Sequence, residues 1–137
     1  PHPDGAGAEL SMRRALADAG LTPSDVDYVN AHGTGTPVGD IAEARAIQRT
    51  LGAVPVSSIK GAIGHTIAAA GAVEAAACIA ALQGGWLPGS TGLLTPDPDC
   101  PVTALADPLK QQASVVLSNS FGFGGQNCTL LFGRHTP

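Results

Sequence analysis

Three times in this 137-residue chain a β-prone run passes directly into a segment rich in glycine and polar side chains. Residues 26–30 lead into His32-Gly33-Thr34-Gly35-Thr36, and residues 54–59 into Lys60-Gly61-Ala62-Ile63-Gly64-His65. Residues 114–119 lead into Ser120-Phe121-Gly122-Phe123-Gly124-Gly125-Gln126. Such junctions constrain the fold, because in α/β sheets ligands collect beyond the carboxyl ends of the strands. If the first two strands are parallel neighbours, His32 and His65 meet although they lie 33 residues apart.

The segments around the strands have helical spacing. Leu10, Met12, Leu16 and Ala19 approximate one stripe, with Gly20 as its stop. Asp40 and Glu43 have the spacing of a capping box, and Ile41, Ala44, Ile47 and Leu51 share a face before Gly52. Residues 68–83 predict an alanine-rich helix closed by Gly84-Gly85. It is small-residued on every side, with Glu74 its one acid, and a helix apolar all round is expected to be buried. Residues 86–110 carry five prolines and read as irregular connection. Residues 114–119 and 127–132 predict an antiparallel strand pair, so the fold class is α/β, layered, within one domain.

Composition narrows the function classes. Glycine and proline total 29 residues, but 44% hydrophobic and only 13% charged residues belong to a chain that folds. A net charge of −4 offers no basic field for nucleic acid or an anionic membrane surface. The stretch from Ile67 to Leu82 is broken by Gly71 and Glu74 and is short for a membrane span, and the N-terminus has no signal-peptide pattern. Cys78, Cys100 and Cys128 are odd in number and form no CxxC pair, which argues against a disulfide framework or a zinc site. A reducing cytoplasm is the expected compartment. The sparse charge is unusual for the surface of a small independent domain.

Several familiar motifs fail. Gly33-Thr34-Gly35 has Val38 where a dinucleotide loop needs its third glycine, and Lys60 precedes rather than follows the glycines of a phosphate loop. Gly89-Ser90-Thr91-Gly92 is not a nucleophile elbow. Two glycine-flanked imidazoles with a lysine nearby remain, a set suited to acid–base chemistry and oxyanion stabilisation. Phe121 and Phe123 are either plain core or a gate over a pocket. Cys78 reads as a small core residue, and His2 and His135 as solvated.

Read together, the segments have a family likeness. Val26-Asp27-Tyr28-Val29-Asn30-Ala31-His32-Gly33-Thr34-Gly35-Thr36-Pro37 resembles the first histidine motif of the β-ketoacyl-acyl carrier protein synthases. Ser57-Ser58-Ile59-Lys60-Gly61-Ala62-Ile63-Gly64-His65-Thr66 resembles the second, and Asn119-Ser120-Phe121-Gly122-Phe123-Gly124-Gly125-Gln126-Asn127 the gating loop. The resemblance implies the C-terminal half of a thiolase-like αβαβα fold over residues 1–137, with the N-terminal half and its acyl-carrying cysteine outside this sequence. It implies a decarboxylative Claisen condensation with His32 and His65 as the catalytic histidines, Lys60 supporting His65, and Glu74 as buried acidic neighbour. It further implies that Thr34 and Thr36 hold a phosphopantetheine arm. The Phe123 N–H would serve the oxyanion hole and its ring the gate, in a loop with Phe121, Gly122, Gly124 and Gly125.

The partners so implied are acyl carrier protein, the missing half, and a homodimer mate or ketosynthase heterodimer partner. No nucleic acid, membrane or cofactor is expected beyond the carrier's pantetheine. Some relatives hold a structural cation near the positions of Asn30, Glu74, Ser118 and Asn127; no metal is expected here. The sequence departs from many relatives at Ala68, where they have glycine. Alone, the chain is expected to be inactive in condensation, as a fragment of a longer enzyme. The competing reading is a non-catalytic partner akin to the chain-length factors of polyketide ketosynthases.

Overall fold

The computed structural model describes residues 2–135. Its helices and strands, in chain order, are α1 (Ala6–Ala19), β1 (Tyr28–Asn30), α2 (Pro37–Leu51), β2 (Pro55–Ser57), α3 (Lys60–Ile63) and α4 (Ala70–Gly84). The short strands β3 (Trp86–Leu87), β4 (Thr103–Ala104) and β5 (Leu109–Lys110) follow, then β6 (Val115–Phe121) and β7 (Asn127–Gly133). Glycine stops α1 and α4: Gly20 and Gly85 adopt the left-handed conformation and return their N–H groups to helix carbonyls.

Five strands form one sheet in the order β4-β2-β1-β6-β7. The first four run parallel, and β7 returns antiparallel to β6. Alternation along the strands sends side chains to opposite faces. Val29, Val56 and Leu117 pack on one face with Met12 and Leu16 of α1 and Ala46 and Ile47 of α2. Tyr28 and Val116 pack on the other with Cys78 and Leu82 of α4. The result is an α/β/α sandwich whose β1 and β2 end side by side, with Asn30 opposite Ser57.

Three expectations need correction. Residues 86–110 are not wholly irregular, because β4 extends the main sheet and β3 pairs with β5 in a small antiparallel ribbon. Helix α4 is not buried all round: Ala70, Glu74, Cys78, Ala81 and Leu82 are inside, while Val73 and Ile79 on its other side are exposed. Finally, α2 starts at Pro37 with Thr36 as its N-cap, so Asp40 and Glu43 form no capping box.

The expectation that the stretch from Ile67 to Leu82 is short for a membrane span is also corrected: residues 67–84 are apolar and long enough, by length and composition, to cross one. Here the segment packs one face on the sheet through Cys78 and Leu82 and carries a buried ion pair with Lys60.

Met12 is fully buried between α1 and the sheet, whereas Leu94 is almost wholly exposed. Met12→Ala is expected to cost about 2–5 kcal/mol by lowering the urea midpoint, and Leu94→Ala no more than about 0.5 kcal/mol.

Candidate active site

The parallel pairing of β1 with β2 places both glycine-rich turns at one end of the sheet. The His32 and His65 rings lie with centroids 5.6 Å apart at an interplanar angle of 86°. The Phe121 ring, at the end of β6, stands edge-on to His32 at 5.7 Å. Three segments far apart in sequence thus meet because their strands do.

Hydrogen bonding settles which ring nitrogens carry protons. The Lys60 ammonium, which can only donate, reaches His32 Nδ1 at 3.5 Å. The backbone N–H of Ile67 donates to His65 Nδ1 at 3.1 Å. Each Nδ1 is therefore an acceptor, which leaves Nε2 as the donor nitrogen of each ring. Ile67 has φ 51°, the one positive φ outside glycine among the described residues, so a β-branched residue is held in a strained conformation at this contact. Sequence gave no sign of that.

Lys60, expected beside His65, instead contacts His32. Its ammonium is buried and also pairs with the carboxylate of Glu74 from α4. This accounts for the one acid in an alanine-rich helix, since an unpaired buried charge would be costly. Burial is the main cause that pushes His32 down to about 4, with the charge of Lys60 and then His65 adding to it. His32 is thus a neutral donor at pH 7.

Glu43 is the residue that spacing misled. It is buried and turned inward from α2, where its two oxygens accept the backbone N–H groups of His32 and Gly33, each at 2.9 Å. Burial pushes its carboxyl up, against these donors, which favour the charged form. The turn above it needs glycine: Gly33 has φ 42°, and a Cβ there would meet Ser58 at 2.7 Å. Ser58 Oγ donates to Gly33 O at 3.2 Å and accepts from Lys60 N at 3.3 Å, tying one histidine turn to the other.

The Thr34 and Thr36 hydroxyls lie 3.1 Å apart at the start of α2. Asp40 accepts from Gly35 N at 3.1 Å and so braces the same turn. In the third segment, Gly122 N donates to Gln126 O at 2.7 Å, and Gly124 and Gly125 take positive φ. Phe121 packs against the core, whereas Phe123 is 99% exposed. The two phenylalanines therefore differ in kind.

At the positions where some relatives hold a cation, Asn30 Oδ1 and Glu74 Oε2 are buried without a hydrogen-bond partner. Asn30 Nδ2 donates to Ser118 Oγ at 3.4 Å. These are oxygen donors of the kind a hard cation takes, but the Lys60 ammonium already pairs with Glu74. Asn127 does not join them: it is exposed, with its amide beside Gly7 of α1. No group of three His, Cys, Asp or Glu among the described residues is arranged to hold a metal.

Residues 1–93 match the family model "Beta-ketoacyl synthase, C-terminal domain". The chain belongs to this β-ketoacyl synthase family. It is 48% identical over 140 residues to the mitochondrial 3-oxoacyl-[acyl-carrier-protein] synthase of Arabidopsis thaliana, covering 96% of this chain and 30% of the relative. Among solved structures, an ishigamide ketosynthase/chain length factor superposes with TM-score 0.94 at 34% identity over 98% of this chain and 34% of the other. A ketosynthase described as in complex with a type II polyketide acyl-carrier protein gives TM-score 0.93 at 31% identity, over 98% and 34%. The chain spans about a quarter to a third of the length of the curated relatives it matches. Its α/β/α sandwich is accordingly one part of the larger thiolase-like ketosynthase fold.

Two outcomes are expected of this β-ketoacyl synthase domain. Glu74→Ala, which strands the buried Lys60 ammonium, should lower stability by about 3–5 kcal/mol, and Lys60→Met with Glu74→Gln by less than the sum of the single changes. By NMR, His32 should titrate near pH 4, and Lys60→Met should move that midpoint up. Because the folded pKa lies below the ordinary 6.5, the unfolded chain binds the extra proton first. The stability linked to His32 is then complete above pH 6.5 and lost as pH falls toward 4.

Proposed function

We propose that this chain is the histidine-bearing part of a β-ketoacyl-[acyl-carrier-protein] synthase that lengthens an acyl thioester by two carbons. The observation that carries the reading is the pair of adjacent imidazoles, each held by its Nδ1 so that Nε2–H is the free donor. In malonyl thioester the bond to the carboxylate breaks, carbon dioxide leaves, and the electron pair moves toward the thioester oxygen. Two preorganised donors stabilise that enolate oxygen without a proton having to be removed first. The enolate carbon then attacks the acyl thioester carbonyl, a carbon–carbon bond forms, and the cysteine thiolate departs.

That cysteine belongs to the rest of the enzyme. Burial pushes the thiols of Cys78, to about 11, and Cys100 upward, the reverse of an activated nucleophile. The Phe123 N–H, in a loop shaped by Gly122, Gly124 and Gly125, serves the acyl oxyanion, and the exposed Phe123 ring gates the acyl pocket. Thr34 and Thr36 take the pantetheine arm of an acyl carrier protein. A second ketosynthase-type subunit completes the assembly, which works in the cytoplasm without a further cofactor, because decarboxylation itself generates the carbanion. The intact Lys60–His32 contact supports an enzyme over a scaffold of the chain-length-factor kind, which would have no use for it.

The test uses the complete enzyme and malonyl-loaded carrier protein. His32→Ala and His65→Ala should each lower carbon dioxide release by about 100-fold or more. Condensation by the 137-residue chain alone, or full activity in both variants, overturns the reading.

A further inference from the structure

Glu43 does not hold the His32 turn unaided. Its Oε1 also accepts from Nδ2 of Asn119, a fully buried residue of β6, at 3.1 Å. Asn119 Oδ1 in turn accepts the hydroxyl of Thr129 from β7 at 2.9 Å. Thr129 Oγ1 lies 2.9 Å from Ser11 Oγ of α1. Since the single hydroxyl proton of Thr129 goes to Asn119, Ser11 is the donor to Thr129. The chain therefore has one direction, from Ser11 through Thr129 and Asn119 to Glu43, which closes it by accepting from the His32 and Gly33 amides.

An amide side chain can be turned over at almost no steric cost, so something must fix its sense. Both Glu43 oxygens act as acceptors here, receiving the two backbone N–H groups, which commits Asn119 Nδ2 to Glu43 and turns Oδ1 toward β7. There the Thr129 hydroxyl supplies the donor. Without it, Oδ1 is a buried acceptor with no partner, and turning the amide over would set two acceptor oxygens against each other beside Glu43. The amide would then be free to settle only by shifting away from Glu43, and Glu43 carries the turn on which His32 sits.

We propose that Thr129 is a positioning residue for His32, acting through Asn119 and Glu43. The catalytic consequence rests on the function proposed above, whereas the effect on the turn does not. In the complete condensing enzyme, Thr129→Val removes the donor while keeping the shape, and Thr129→Ser keeps the donor. Amide hydrogen exchange at His32 and Gly33 should quicken about tenfold in the valine variant and return to within about twofold of wild type in the serine variant. For malonyl thioester decarboxylation, the valine variant should lose kcat about tenfold with KM within about twofold, again restored by serine. Thr129→Ala, which leaves no methyl against Asn119 Oδ1, gives the same direction if valine prevents folding. Unchanged exchange at His32 and Gly33 in a folded valine or alanine variant overturns the proposal, as does an equal deficit with serine. Quickened exchange in an enzyme whose wild type releases no carbon dioxide upholds the positioning and sinks the proposed function instead.

Discussion

The buried pair between Lys60 and Glu74 is the contact on which the arrangement of the site depends. It joins α4, under one face of the sheet, to the first residue of α3, immediately beyond β2. A pair of this kind adds little net stability over an apolar substitute, because both charges must leave water. Its effect is to fix position. Neither group can move without stranding the other, so the ammonium stays against His32, where its charge adds to burial in keeping that imidazole neutral.

A second carboxylate works from the opposite face. Glu43, on α2, receives the amides of the His32–Gly33 turn, so the two histidine turns are held from both sides of the sheet by acids of opposite helices. Ser58 joins the turns directly. The glycines that make the chain resemble a disordered one in composition are needed where these turns close on one another. Gly61 shows the same need, since a Cβ there would overlap the backbone of Thr91.

The low charge noted in the sequence has a physical counterpart. Val73, Ile79, Ile67 and Phe123 are exposed around α4 and the glycine-rich loops, where charged residues would cover an independent domain. Surfaces of that kind belong to interfaces. In a family whose members are three to four times as long, they are positions at which the remainder of the fold can pack.

Much of this was legible from local chemistry. Strand-then-glycine junctions, the stop at Gly20 and the antiparallel C-terminal pair follow from patterning and backbone preference, and tertiary packing left them intact. Of the helical stripe, Met12 and Leu16 are core while Leu10 and Ala19 are exposed, and Cys78 was rightly read as a small buried residue. Spacing misread Glu43, because Asp-x-x-Glu is equally a cap and one turn of a helix interior, and only the direction of α2 relative to β1 turns its carboxylate inward. It could not foresee that Lys60 would meet His32, the strained Ile67 that fixes His65, or the chain from Ser11 to Glu43 through β6 and β7. By itself, then, the sequence determined which local elements form and where along them the candidate residues lie, since propensity and glycine conformation act over a few residues. Tertiary structure alone decided which polar groups share a proton, because that depends on ångström-scale approach between segments tens of residues apart.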